Sequence, residues 1–63
     1  MKKHIGKLVQ IFPGDTCSKW GIIKSIDEFN IEVEITKVDR SDYELQPGDT
    51  MCWNRNKFSY KLA

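Results

Sequence analysis

Long apolar runs are missing from this 63-residue chain. No stretch approaches the roughly 20 apolar residues that a helix needs to cross a bilayer, so no membrane span is expected. The opening Met1-Lys2-Lys3-His4-Ile5-Gly6 is basic, but no apolar segment follows it. That pattern argues against a secretory leader and for a cytoplasmic protein. Cysteine is scarce: Cys17 and Cys52 are the only two, whereas short secreted disulfide scaffolds usually carry four or more. With His4, the single histidine, they make three dispersed soft ligands. Structural zinc takes four, often in close pairs, so no metal is expected and one or both cysteines read as buried, reduced thiols. The four glycines are scattered, and neither Gly-x-Gly-x-x-Gly nor a Walker loop occurs. Phosphate cradles and nucleotide cofactors therefore find no support. His4 has no nucleophile or paired carboxylate near it in sequence and reads as a solvated residue. The chain is thus expected to be non-enzymatic and free of cofactors.

What the chain does have is apolar and aromatic content. Forty per cent of residues are hydrophobic and the net charge is +1, which suits a folded domain rather than a disordered one. The length allows one domain, 1–63, with one small core, and leaves residues 1–6 to be read as a flexible basic arm. Charge is unevenly spread. Residues 1–24 carry +4, residues 25–49 carry −6, and residues 50–63 carry +3. An acidic middle between basic ends could fold into two distinct faces.

Apolar residues recur with period two. Ile31, Val33 and Ile35 alternate with Glu32, Glu34 and Thr36, and Val9 and Ile11 flank Gln10. Trp20, Ile22, Lys24 and Ile26 form a less regular segment with Ile23 on its opposite face, and Phe58, Tyr60 and Leu62 alternate with Ser59 and Lys61. Such alternation lines one face of a strand, and a helix would scatter it. Strands are expected near 7–12, 19–26, 31–38, 50–54 and 58–62. Asp27-Glu28-Phe29-Asn30 and Asn54-Arg55-Asn56-Lys57 read as tight hairpins, with Asn30 and Asn56 supplying left-handed positions. Pro-Gly-Asp-Thr occurs twice, at 13–16 and 47–50. Proline presets φ and glycine supplies positive φ, so it reads as one turn chemistry used twice.

Five short strands in so small a chain suggest a closed all-β barrel, because closure removes exposed sheet edges. Gly21-Ile22-Ile23-Lys24-Ser25-Ile26 resembles the Gly-x-(Ile/Val)-x-x-Ile core of KOW-type segments. Trp20 to Asp39 is similar in pattern to the peripheral E subunit of photosystem I, and the ending Trp53-Asn54 … Tyr60-Lys61-Leu62 is similar to that of barrels closing on an aromatic strand. The resemblance implies a small five-stranded SH3-like barrel and no family-specific site.

Two functions fit this reading. The first is a non-catalytic protein-interaction module: an accessory subunit, adaptor or small inhibitor of a larger assembly. Its acidic strip, Glu32, Glu34, Asp39, Asp42 and Glu44, would steer docking onto a basic protein surface, with Tyr43 as aromatic anchor. Phe29, in a turn, is also expected to be exposed. The alternative is nucleic-acid binding. Pairing of the first and last strands would gather Lys2, Lys3, Lys7, Arg55, Lys57 and Lys61 for phosphates, and Trp53, Phe58 or Tyr60 would stack on bases.

Overall fold

A computed structural model of the chain describes residues 2–39 and 45–63. Its five strands are β1 (Leu8–Ile11), β2 (Lys19–Ile26), β3 (Asn30–Val38), β4 (Thr50–Asn54) and β5 (Tyr60–Leu62). They form one antiparallel sheet in the order β4-β3-β2-β1-β5. The first and last strands do pair, with Val9 opposite Leu62 and Ile11 opposite Tyr60. Both end strands are shorter than the alternation predicts. Phe12 leaves β1 with φ at 46°. The Asn54 carbonyl accepts the N–H of both Lys57 and Phe58, so the chain is still turning at Phe58.

The interior consists of Val9, Ile11, Ile23, Ile26, Ile31, Val33, Ile35 and Phe58. The β1 and β3 apolar faces are those expected from alternation. In β2 the phase is reversed. Lys19, Gly21 and Ile23 face inward, whereas Trp20 and Ile22 lie on the outer face. Two register shifts mark the β2–β3 ladder, and the one in β2 lets that strand bury both Ile23 and Ile26. Opposite Trp20 and Gly21, β3 contributes an extra residue, Thr36; between Ile23 and Ser25, the extra residue is Lys24 of β2. Each extra residue turns the following side chains over, which brings Ile26 back to the core. Gly21 is inward because two strands approach closely there. A Cβ at this position would lie 2.6 Å from Val33 Cγ1 and 2.7 Å from the Glu34 carbonyl oxygen.

The repeated tetrapeptide makes two different turns. At the second copy the Asp49 N–H donates to the Gln46 carbonyl (3.0 Å) and Gly48 has φ of 97°, which is the type II pattern. At the first copy the Asp15 N–H donates to the Phe12 carbonyl (2.9 Å), but Gly14 lies outside the left-handed region; Phe12 takes the positive φ instead. The two aspartates diverge as well. Asp49 accepts the Gln46 N–H, and Asp15 accepts the Lys19 ammonium.

Neither asparagine adopts the left-handed conformation expected of it, since Phe12 is the only non-glycine residue with positive φ among the described residues. The β2–β3 turn is instead tied by the Asp27 carboxylate, which accepts the N–H groups of Phe29 (2.9 Å) and Asn30 (2.6 Å). Asn54 plays the equivalent part in the next hairpin, where its Oδ1 accepts the Asn56 N–H. Asx turns of this kind satisfy the backbone without positive φ.

Residues 2–6 are tied at several points. Lys2–His4 is a short 3-10 turn, the Gly6 N–H donates to the Ile23 carbonyl (2.7 Å), and His4 Nδ1 lies 2.6 Å from the Tyr60 hydroxyl. His4 is therefore a half-buried partner of the last strand rather than a solvated residue.

Candidate functional site

The β2–β3 tip is the first surface of interest. Phe29 is 69% exposed, the most exposed large hydrophobic side chain among the described residues. Its backbone is nevertheless held on both sides: the N–H goes to Asp27, and the carbonyl accepts the Arg55 N–H at 2.8 Å. Arg55 also donates from its guanidinium to the Asp27 carbonyl at 3.2 Å. The backbone N–H groups of Asn30 and Phe29 hold the Asp27 carboxyl below its usual carboxylate range, and the Arg55 charge acts in the same direction. The ring is thus presented by a fixed turn with Glu28 exposed beside it.

The acidic strip foreseen from sequence is only partly contiguous. Glu32 and Glu34 share the outer face of β3, opposite Cys52 and Thr50 of β4. Glu32 accepts the Ser25 hydroxyl (3.1 Å), and Glu34 pairs with Lys24 at 3.4 Å. Both ions of that pair are about half exposed, where such contacts contribute little and a partner can displace them. Asp39 is exposed just beyond the far end of β3, away from the tip. Asp42, Tyr43 and Glu44 lie outside the described residues.

The aromatic residues named for stacking do come together. Trp53 and Phe58 are stacked, with centroids 5.3 Å apart and planes at 29°. Phe12 sits edge-on to both, Phe58 continues to Tyr60 at 5.5 Å, and Tyr60 meets His4 edge-on. This row links β4 to the start of β5, the two edge strands of the sheet. Its first role is packing, since Phe58 is buried and the others are half-buried.

The cations named with these rings are spread apart. Lys61 is on the face opposite Tyr60, because neighbours along a strand point to opposite sides, and it pairs across to Gln10. Lys57 is exposed in the β4–β5 turn, Lys7 just before β1, and Lys3 in the 3-10 turn that Lys2 begins. Arg55 is committed to the tip. A single phosphate track along the last hairpin is therefore not assembled.

One charged residue carried no signal in the sequence. Lys19 is 1% exposed, at the inward start of β2. Its ammonium reaches Asp15 Oδ2 at 2.9 Å and the Cys17 carbonyl at 3.3 Å, and lies 5.7 Å from the Phe12 ring centroid. It ties the β1–β2 loop to the core. Cys17 and Cys52 are both free thiols. Cys17 is buried as expected, whereas Cys52 is exposed because it lies on the outer side of β4. Among the described residues, no group of three His, Cys, Asp or Glu side chains is arranged to hold a metal, and no helix is long and apolar enough to cross a membrane. No protein-family model, curated protein or solved structure matches the chain.

Proposed function

We propose that the five-stranded sheet is a small SH3-like barrel and that the protein is a non-catalytic interaction module, an accessory subunit, adaptor or small inhibitor of a larger protein assembly. The strand order and the aromatic row bridging the two edge strands support the barrel reading. The observation that carries the interaction reading is Phe29, an exposed ring on a turn whose backbone is already tied. An apolar anchor that is fixed before binding loses little conformational entropy when a partner covers it. Glu28, Glu32 and Glu34 would steer this end onto a basic protein surface around an apolar pocket, and their ordinary surface contacts leave them available.

Photocrosslinking tests the reading. A photoreactive side chain placed at Glu28 should yield a discrete protein adduct in lysate of the source cells. Phe29→Ser, or the pair Glu32→Lys and Glu34→Lys, should abolish it, and the same probe at Thr16 in the β1–β2 loop should give no such adduct. No adduct at Glu28, or an adduct unchanged by Phe29→Ser, would overturn the proposal.

A further inference from the structure

The strand register gathers four side chains that are far apart in sequence. Val9 and Ile11 are fully buried, so Gln10 between them faces outward. Its direct partners are Lys61 of β5 and Trp20 of β2, and the partner of Trp20 is Lys37 of β3. Lys37 reaches the outer face because the extra residue Thr36 reverses the alternation that buries Ile35. Lys61, Gln10, Trp20 and Lys37 therefore form one row across four adjacent strands. Three strand spacings separate its ends, roughly 14 Å.

This row is not an ordinary solvated sheet face. One step along the strands Leu8 stands opposite Ile22, and Leu8 is 46% exposed. The result is an apolar and aromatic platform with a cation at each end and an amide in the middle. The Lys37 ammonium lies 5.0 Å from the Trp20 ring centroid. Of the acids around it, Glu34, opposite Ile22, opposes an anion and is only weakly offset by its half-exposed pair with Lys24. Asp39, exposed two residues beyond Lys37, is a second charge that opposes an anion here.

We propose that this outer face binds single-stranded nucleic acid, with a base stacked on Trp20 and phosphates at Lys37 and Lys61. Two positive charges flanking the platform call for an anionic partner. Among the described residues there is no α-helix to enter a groove, so the partner is expected to offer unpaired bases whose flat sides are accessible. The Gln10 amide can donate to or accept from a base edge. On binding, the base takes the ring face that the Lys37 ammonium covers in the free protein, and the ammonium moves to a phosphate. This surface is separate from the Phe29 tip and does not depend on the interaction reading.

The test is fluorescence anisotropy of labelled oligothymidine and oligouridine of about ten nucleotides at low salt. Two phosphate contacts predict a slope of about −1.4 in log affinity against log salt. The pair Lys37→Glu and Lys61→Glu should weaken binding at least about tenfold and flatten that slope. Trp20→Leu should cost about tenfold with the salt slope retained. Both variants are checked for folding by circular dichroism, and Asp39→Asn, which leaves the platform intact, should tighten binding. Lys57→Glu, away from the row, should change affinity less than about twofold. Four results would each overturn the proposal: no salt-dependent binding by the wild type; wild-type affinity in the folded charge-reversed pair; a duplex binding as tightly as the single strand; or polyglutamate competing as well as the oligonucleotide, which would make the face a dock for acidic protein.

Discussion

The two Pro-Gly-Asp-Thr turns provide a comparison in which sequence is held constant and backbone conformation varies. Gly14 and Gly48 have the same neighbours on either side, and a Cβ built on either meets nothing within 4 Å. Steric crowding is therefore absent at both sites. The φ of Gly48 is 97°, whereas Gly14 lies outside the left-handed region. Alanine in a left-handed conformation costs about 1–2 kcal/mol. Replacing glycine by alanine also restricts the unfolded chain, which stabilises the fold by about 0.4–1 kcal/mol at either position. Gly48→Ala should therefore destabilise by about 1 kcal/mol, and Gly14→Ala should stabilise by about 0.4–1 kcal/mol. The unfolded-state effect is common to both, so their difference, about 1–2 kcal/mol, isolates the backbone strain. Urea unfolding followed by tryptophan fluorescence reads this directly. With a slope near 1 kcal/mol/M for so small a domain, the two midpoints should differ by about 1–2 M, Gly48→Ala being the lower. Equal midpoints, or the reverse order, would refute the assignment of two turn types to one tetrapeptide.

Two further measurements examine the core and the tip. Gly21→Ala places a methyl group against buried Val33 and the Glu34 backbone, so overpacking should lower stability by about 1–3 kcal/mol, and Val33→Ala should recover only the part due to the side chain; a neutral Gly21→Ala would contradict the inward phase of β2. The Asp27 carboxyl is held below its ordinary pKa in the fold, so its stabilising effect is present above the unfolded-state value and disappears as pH falls through the lower folded value. The stability difference between the wild type and Asp27→Asn should accordingly be constant near neutrality and shrink in acid, and a difference growing toward low pH would reverse the assignment.

How much of this was legible in the chain varies by element. β3 was read almost to its ends because Ile31, Val33 and Ile35 alternate with charged residues, and only one face of a strand can then be buried. The pairing of β1 with β5 followed from the expected architecture. β2 was placed correctly along the chain and turned the wrong way round. Its inward residues, Lys19, Gly21 and Ile23, look less like a core than its outward Trp20 and Ile22, and the close approach at Gly21 is a three-dimensional fact. The Asn30 and Asn56 turns were located correctly but attributed to the wrong residues, because Asp27 and Asn54 can supply the same bonds from their side chains. Phe29 was recognisable as an exposed ring. The Lys61–Gln10–Trp20–Lys37 row was not, because its members meet only through register, and two of them depend on the reversed β2 phase or on the bulge at Thr36.

That bulge and its counterpart at Lys24 mark where within its strands this sheet tolerates the loss of one residue. Deleting Thr36 would leave Ile35 followed directly by Lys37, so Lys37 would stay outward and Val38 inward in a ladder without the bulge. Deleting Lys24 would likewise leave Ser25 outward and Ile26 inward. A deletion elsewhere within β2 or β3 would instead turn the following side chains over, so diversification of this scaffold should confine length changes to its loops and to these two extra residues.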